Sequence, residues 1–141
     1  MTQRIEPIDV ENALVNDLTT LAKSGGLSFG VLAPPVPSTL SADTVCVTRT
    51  GGGRTSLVID QPLVSVDAWS DTWEGATGLA DTACGLVAAL PFATGTATQW
   101  LEPEGGVVVT LPYANPDPLH PTLPRCTFLV RLGVRARVVT F

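Results

Sequence analysis

The chain has 141 residues, of which 45% are apolar and 15% charged, with a formal net charge of −5. That length builds one packed core and not two ordinary domains, and the apolar fraction excludes intrinsic disorder. An excess of acid repels a phosphate backbone, which disfavours sequence-specific nucleic-acid binding, and so little charge favours an oligomer or docked subunit over a solitary monomer.

In chain order, Pro7 stands where a helix can begin, and Val10, Leu14, Leu18 and Leu21 recur at helical spacing until Ser24-Gly25-Gly26. Residues 27–33 read as a short strand, after which Pro34, Pro35 and Pro37 make an extended connector to Asp43. Residues 44–50 and 54–59 flank Gly51-Gly52-Gly53, whose freedom to take positive φ predicts a hairpin tip. Asp60-Gln61-Pro62 then turns the chain into a strand over 63–69, with Val64, Val66 and Ala68 on one face and Ser65 and Asp67 on the other. Ser70 or Asp71 is placed to cap a second helix, with Glu74 returning the interaction. Its core face carries Trp73, Ala76, Ala80, Ala83, Val87 and Leu90, and Pro91 ends it. Strands are expected over 98–101 and 107–112. The four-proline stretch 113–124 reads as a long excursion of the kind that contacts something, and 125–139 as one alternating strand. The expected fold is α+β, a single domain over 1–141, with a largely antiparallel or mixed sheet and both helices packed on one face.

Residues able to do chemistry are sparse. Cys46, Cys84 and Cys126 each fall in an apolar periodic run without a Cys-x-x-Cys pair, which predicts buried, reduced thiols and a reducing compartment. The single histidine, His120, lies in the proline-rich excursion and reads as an exposed loop residue, so no nucleophile–base pair is visible and no catalytic residue is assigned. Acids are scattered singly, so neither a metal site nor a cofactor is expected. The triple glycine precedes a strand and not a helix, which leaves no helix N-terminus for phosphate. Trp69 and Trp73 are expected to cover one end of the core, with an interface anchor as the alternative. The arginine face of the last strand reads as solvated or paired with Asp67. The N-terminal residues lack the apolar run of a leader and no stretch approaches the ~20 apolar residues of a membrane span, so a soluble cytoplasmic product is expected.

The run TRTGGGRTSLVIDQPLVSVDAWSDTWEGATGLADTACGLVAAL and the ending PRCTFLVRLGVRAR, with a helix in the first twenty residues or so, resemble the tail terminator (tail completion) proteins of long-tailed bacteriophages. The resemblance spans most of residues 8–137 and is a pattern of elements more than a set of fixed residues; 113–124 has no match in it. It implies a non-enzymatic virion protein, assembled in the host cytoplasm. Such a protein forms a ring, usually a hexamer, that caps the head-proximal end of the tail tube, stops tube polymerisation and meets the head–tail connector. Size fits this role: a domain of this length is roughly 37 Å across, and six in a closed ring leave a hole of about that width, through which a DNA duplex passes without sequence-specific binding. A closed ring needs two different patches per subunit, each on the order of 800 Å². The candidates are the tip Gly51, Gly52, Gly53 and Arg54, and the excursion around Asn115, Asp117 and His120. The alternatives are another neck protein, such as a head-closure or connector component, a small soluble enzyme or ligand-binding domain, or a regulatory module pairing through its sheet edge.

Overall fold

Three long strands carry alternating apolar residues, and their pairing brings these into rows. Val47 lies opposite Val66, which lies opposite Phe128, while Val45 pairs with Ala68 and Ala68 with Cys126. One face of the sheet is therefore continuous hydrocarbon. The computed structural model, which describes residues 2–92, 101 and 107–140, lays both helices on that face.

The elements are β1 (Gln3–Glu6), α1 (Val10–Ser24), β2 (Gly30–Leu32), β3 (Thr44–Arg54), β4 (Ile59–Trp69), α2 (Trp73–Ala89), a 3-10 turn (Leu90–Phe92), β5 (Val107–Ala114), β6 (Arg125–Arg131), β7 (Val134–Arg135) and β8 (Arg137–Thr140). The main sheet runs β2-β3-β4-β6-β5, with β7 also pairing β4; β2 is parallel to β3 and every other pair is antiparallel. Val10, Leu14 and Leu18 of α1 and Ala76, Ala80, Ala83 and Val87 of α2 close over the rows, and Phe128 is fully buried between them. The alanines of α2 keep its backbone close to the sheet. The α+β class, the mixed sheet and the shared helix face are thus as the sequence reads.

Asp9 caps α1, its carboxylate accepting from the Asn12 N–H at 3.1 Å, and Gly25 closes the other end. The cap of α2 is Thr72 and not Ser70 or Asp71: its hydroxyl accepts from the Gly75 N–H at 3.0 Å. Ser70 is buried and donates its hydroxyl to the Asp43 carboxylate at 2.8 Å. Thr72→Ala should cost about 1 kcal/mol in a urea melt, the usual loss for a capping hydroxyl, while Asp71→Ala should cost less than half of that.

Several boundaries differ from the sequence reading. A four-residue β1 precedes α1 and pairs with β8 in a separate two-stranded sheet, Gln3 opposite Thr140 and Glu6 opposite Arg137. Four residues are too few to show periodicity, which is why the sequence hides them. The strand expected over 27–33 shrinks to Gly30–Leu32. The expected single C-terminal strand breaks at Leu132 and Gly133 into β6, β7 and β8, which lets β7 continue along β4 past the end of β6. Of the strand expected over 98–101, only Leu101 is among the described residues, where it bridges Val134; the loop before it lies outside them.

Trp73 does not cover the core but stands 45% exposed, whereas Trp69 is buried. Cys46 and Cys126 are buried as expected, but Cys84 is only half-buried on α2. Burial pushes the Cys46 thiol up to about 11 and raises Cys84 as well, so both are held as thiols at neutral pH. By length and composition, Trp73–Phe92 is apolar enough to cross a membrane, contrary to the expectation that no stretch approaches that. Its row Ala76, Ala80, Ala83, Val87 and Leu90 is packed into the core, while Trp73 and Phe92 at its ends are exposed and about a third of the apolar window is buried.

Candidate functional site

The two regions singled out by sequence lie at opposite ends of the β3–β4 hairpin. Gly52 pairs with Pro62 near one end of β4, and Trp69, beside the 115–124 excursion, is its last residue. At ~3.3 Å per residue the two are separated by roughly 20 Å.

Gly51, Gly52 and Gly53 do not form the hairpin tip. β3 runs through them to Arg54, the ladder slips between Arg49 and Gly52, and the chain reverses over residues 55–58. Gly51 and Gly52 have φ of 110° and 111°. Positive φ serves a β-bulge as well as a tip, and Asp60-Gln61-Pro62, read as a turn, lies inside β4. Pro62 has no N–H to give, and it sits where the bulge already interrupts the ladder. Arg54 is exposed and makes a two-pronged ion pair with Asp60 across the hairpin. Together with Ile5, Pro7 and Ile8, the bulge walls an open groove of about 480 Å³. Arg49, also on its wall, is held by the Ile8 carbonyl at 3.1 Å.

At the other end, Asp117 and His120 are buried, not projecting. Parity explains what they cover: Trp69 follows Asp67 by two and so lies on the face of β4 away from the helices, where the excursion folds over it. The Asp117 carboxylate accepts from His120 Nδ1 at 2.7 Å, from Trp69 Nε1 at 3.1 Å and from the Leu119 N–H at 3.0 Å. His120 Nε2 faces the Pro37 carbonyl at 2.9 Å. Both neighbours of the ring are acceptors, so both ring nitrogens must donate, and only the imidazolium does that. The Asp117 hydrogen bond, then that of Pro37, accordingly raises the His120 pKa. Burial pushes the Asp117 carboxyl up, but the hydrogen bonds from His120, Leu119 and Trp69 and the Arg125 charge outweigh it and lower its pKa.

Arg125 supports the cluster from β6. Its guanidinium lies 5.9 Å from the Trp69 ring, and its Nε donates to the Asn115 carbonyl at 2.7 Å. Asn115 Nδ2 donates to the Thr127 hydroxyl at 3.1 Å, which donates to Asp67 at 2.6 Å. Asp67 therefore pairs with Thr127 more directly than with any arginine of the last strand; burial raises its pKa, which the Thr127 bond only partly offsets.

Chemically, this is a clasp. Both nitrogens of His120 are consumed, so neither is free to take a proton from a substrate, and Asp117 is spent on three donors. The clasp joins the 34–43 connector to the 115–124 excursion across one end of the sheet. Asp117 and His120 are three residues apart in the chain, but their partners Trp69 and Pro37 are 48 and 83 residues away, which is why the sequence reads His120 as exposed. No group of three or more His, Cys, Asp or Glu residues suited to a metal ion occurs among the described residues. No family model matches the chain, and a search of curated proteins finds no match.

Proposed function

We propose that this chain is a ring-forming structural subunit of a long-tailed phage, a tail terminator that caps the head-proximal end of the tail tube and joins it to the head–tail connector. The observation that carries this reading is the 45–90 cassette. A long hairpin leads through a buried tryptophan directly into an alanine-rich helix that lies back on the same sheet, in the order expected from the resemblance. Supporting it, the acid–base pair that would suggest catalysis is turned inward and holds two loops. In this role the subunits close on themselves, the tube and connector proteins are the axial partners, and duplex DNA passes the acidic protein without condensing on it.

Negative-stain microscopy with light scattering on purified protein tests the reading. Annuli with a mass near six chains are expected, and added tail-tube protein should bind them at one end. A monomer at every concentration, or turnover of a small molecule, would refute it.

A further inference from the structure

Among the described residues the main sheet ends in two edges without a further strand, β2 and β5, and both lie in stretches without charge. No Asp, Glu, Lys or Arg occurs between Lys23 and Asp43 or between Glu104 and Asp117. Natural sheets guard exposed edges with charge, with brevity, or with proline and bulges; neither edge here carries charge, β2 is short, and β5 holds Pro112 and two register shifts, which leaves its first half, from Val107, the most open stretch. β5 is eight residues long, and alternate side chains stand in solvent: Val107 at 53%, Val109 at 45%, Leu111 at 72% and Tyr113 at 43%. Beside it, on the helix face, Val108 and Phe92 border a small notch of about 120 Å³ lined only by apolar residues and one proline. At the far edge, next to β2, Leu27 and Val36 are also exposed. A strand laid along β5 would find main-chain partners away from Pro112, exposed apolar side chains and a side-chain notch.

We propose that the occupant is the β2 edge of a second copy of this chain, so that β5 of each subunit pairs with β2 of the next; this rests on the ring reading and names its lateral contact. Direction favours the pairing. β2 runs with β3, β4 runs against them, β6 against β4 and β5 against β6, so β5 and β2 point in opposite senses. Rotating a copy about an axis along the strands preserves those senses and sets β5 antiparallel to its neighbour's β2. The two edges differ, so the contact is heterologous and repeats from copy to copy, as a closed ring needs; β5 on β5 would stop at two. The uncharged edges also meet without burying an unpaired charge.

The test uses full-length protein with Leu111→Lys on one edge and Leu27→Lys on the other, Ser28→Lys replacing the latter if it does not fold. Folding is checked by circular dichroism and mass by light scattering. Each variant alone should need about a hundredfold more protein than wild type to assemble, since a buried lysine must be desolvated at every junction. Mixed one to one, they retain one intact pair of edges and should form a two-chain complex and nothing larger. Leu57→Lys, on the exposed hairpin loop, should assemble like wild type. A folded Leu111→Lys that assembles normally overturns the edge pairing and leaves the ring reading standing. Self-dimers of Leu27→Lys overturn it in favour of β5 on β5. A wild-type protein that never assembles overturns both.

Discussion

Gly52→Val should lower stability by about 4 kcal/mol or more, moving the urea midpoint down by roughly 2 M. Two costs combine. At φ 111° a β-branched residue is strained, which alone is worth about 1–3 kcal/mol. A Cβ there would also lie 2.2 Å from the Gln61 carbonyl oxygen and 2.7 Å from the Leu63 nitrogen, backbone atoms that can retreat only by parting β3 from β4. The neighbours serve as internal controls. Gly51→Ala has the same φ but open space, so only strain applies, about 1–2 kcal/mol. Gly53→Ala has neither positive φ nor a close neighbour and should change stability by less than about 0.5 kcal/mol. The ranking 52 over 51 over 53 belongs to a bulge; equal, small losses at all three would instead belong to a free loop. By the same reasoning, an insertion at Gly52 disturbs the ladder itself, so residues 55–58 are the place to lengthen the hairpin without damage to its pairing.

Asp117→Ala should cost about 3 kcal/mol, measured by denaturant melts at pH 6. The change strands three donors, the Trp69 Nε1–H, the Leu119 N–H and the His120 ring, in a buried site, and removes the charge that holds the imidazolium. Trp69 fluorescence reports the same event, because its ring loses a hydrogen bond and gains water. The pH dependence has a determined sign. His120 has a raised folded pKa, so its contribution is complete below its unfolded value near 6.5 and is lost as pH rises through the folded value. Asp117 has a lowered one, so its contribution is complete above its unfolded value near 3.8 and is lost as pH falls through the folded value. The clasp is therefore tightest between roughly pH 4 and 6.5, and wild type minus His120→Gln should show a stability difference that shrinks from pH 6 to pH 9. A difference that grows with pH would mean the ring is neutral in the folded protein.

Alternation made the core readable from the residues alone. Val64, Val66 and Ala68 on one face and Ser65 and Asp67 on the other follow from the period of a strand, and the buried rows are built from them. The same parity sets Trp69 on the Asp67 face, away from the helices, where Asp117 and His120 of the excursion cover it. What stayed hidden depends on partners distant in sequence. Nothing near His120 announces Pro37, and nothing near Gln3 announces Thr140. The triple glycine was ambiguous for a different reason: φ above zero is shared by tips and bulges, and only the position of Pro62 across the ladder separates them. Of the residues expected to project, Gly51 and Gly53 do stand open, Arg54 is paired across the hairpin, and Asp117 and His120 are interior.

Because β1 and β8 lie side by side, joined also by the Arg137–Glu6 ion pair at 2.9 Å, both ends of the described chain leave from one corner. Ile5 of β1 borders the bulge groove, which puts that corner beside Gly51–Arg54 and away from the tryptophan clasp. A reporter domain fused at either end would thus crowd the same neighbourhood and spare the other, and a peptide bridge of a few residues could link the ends in a circular permutant reopened at 55–58.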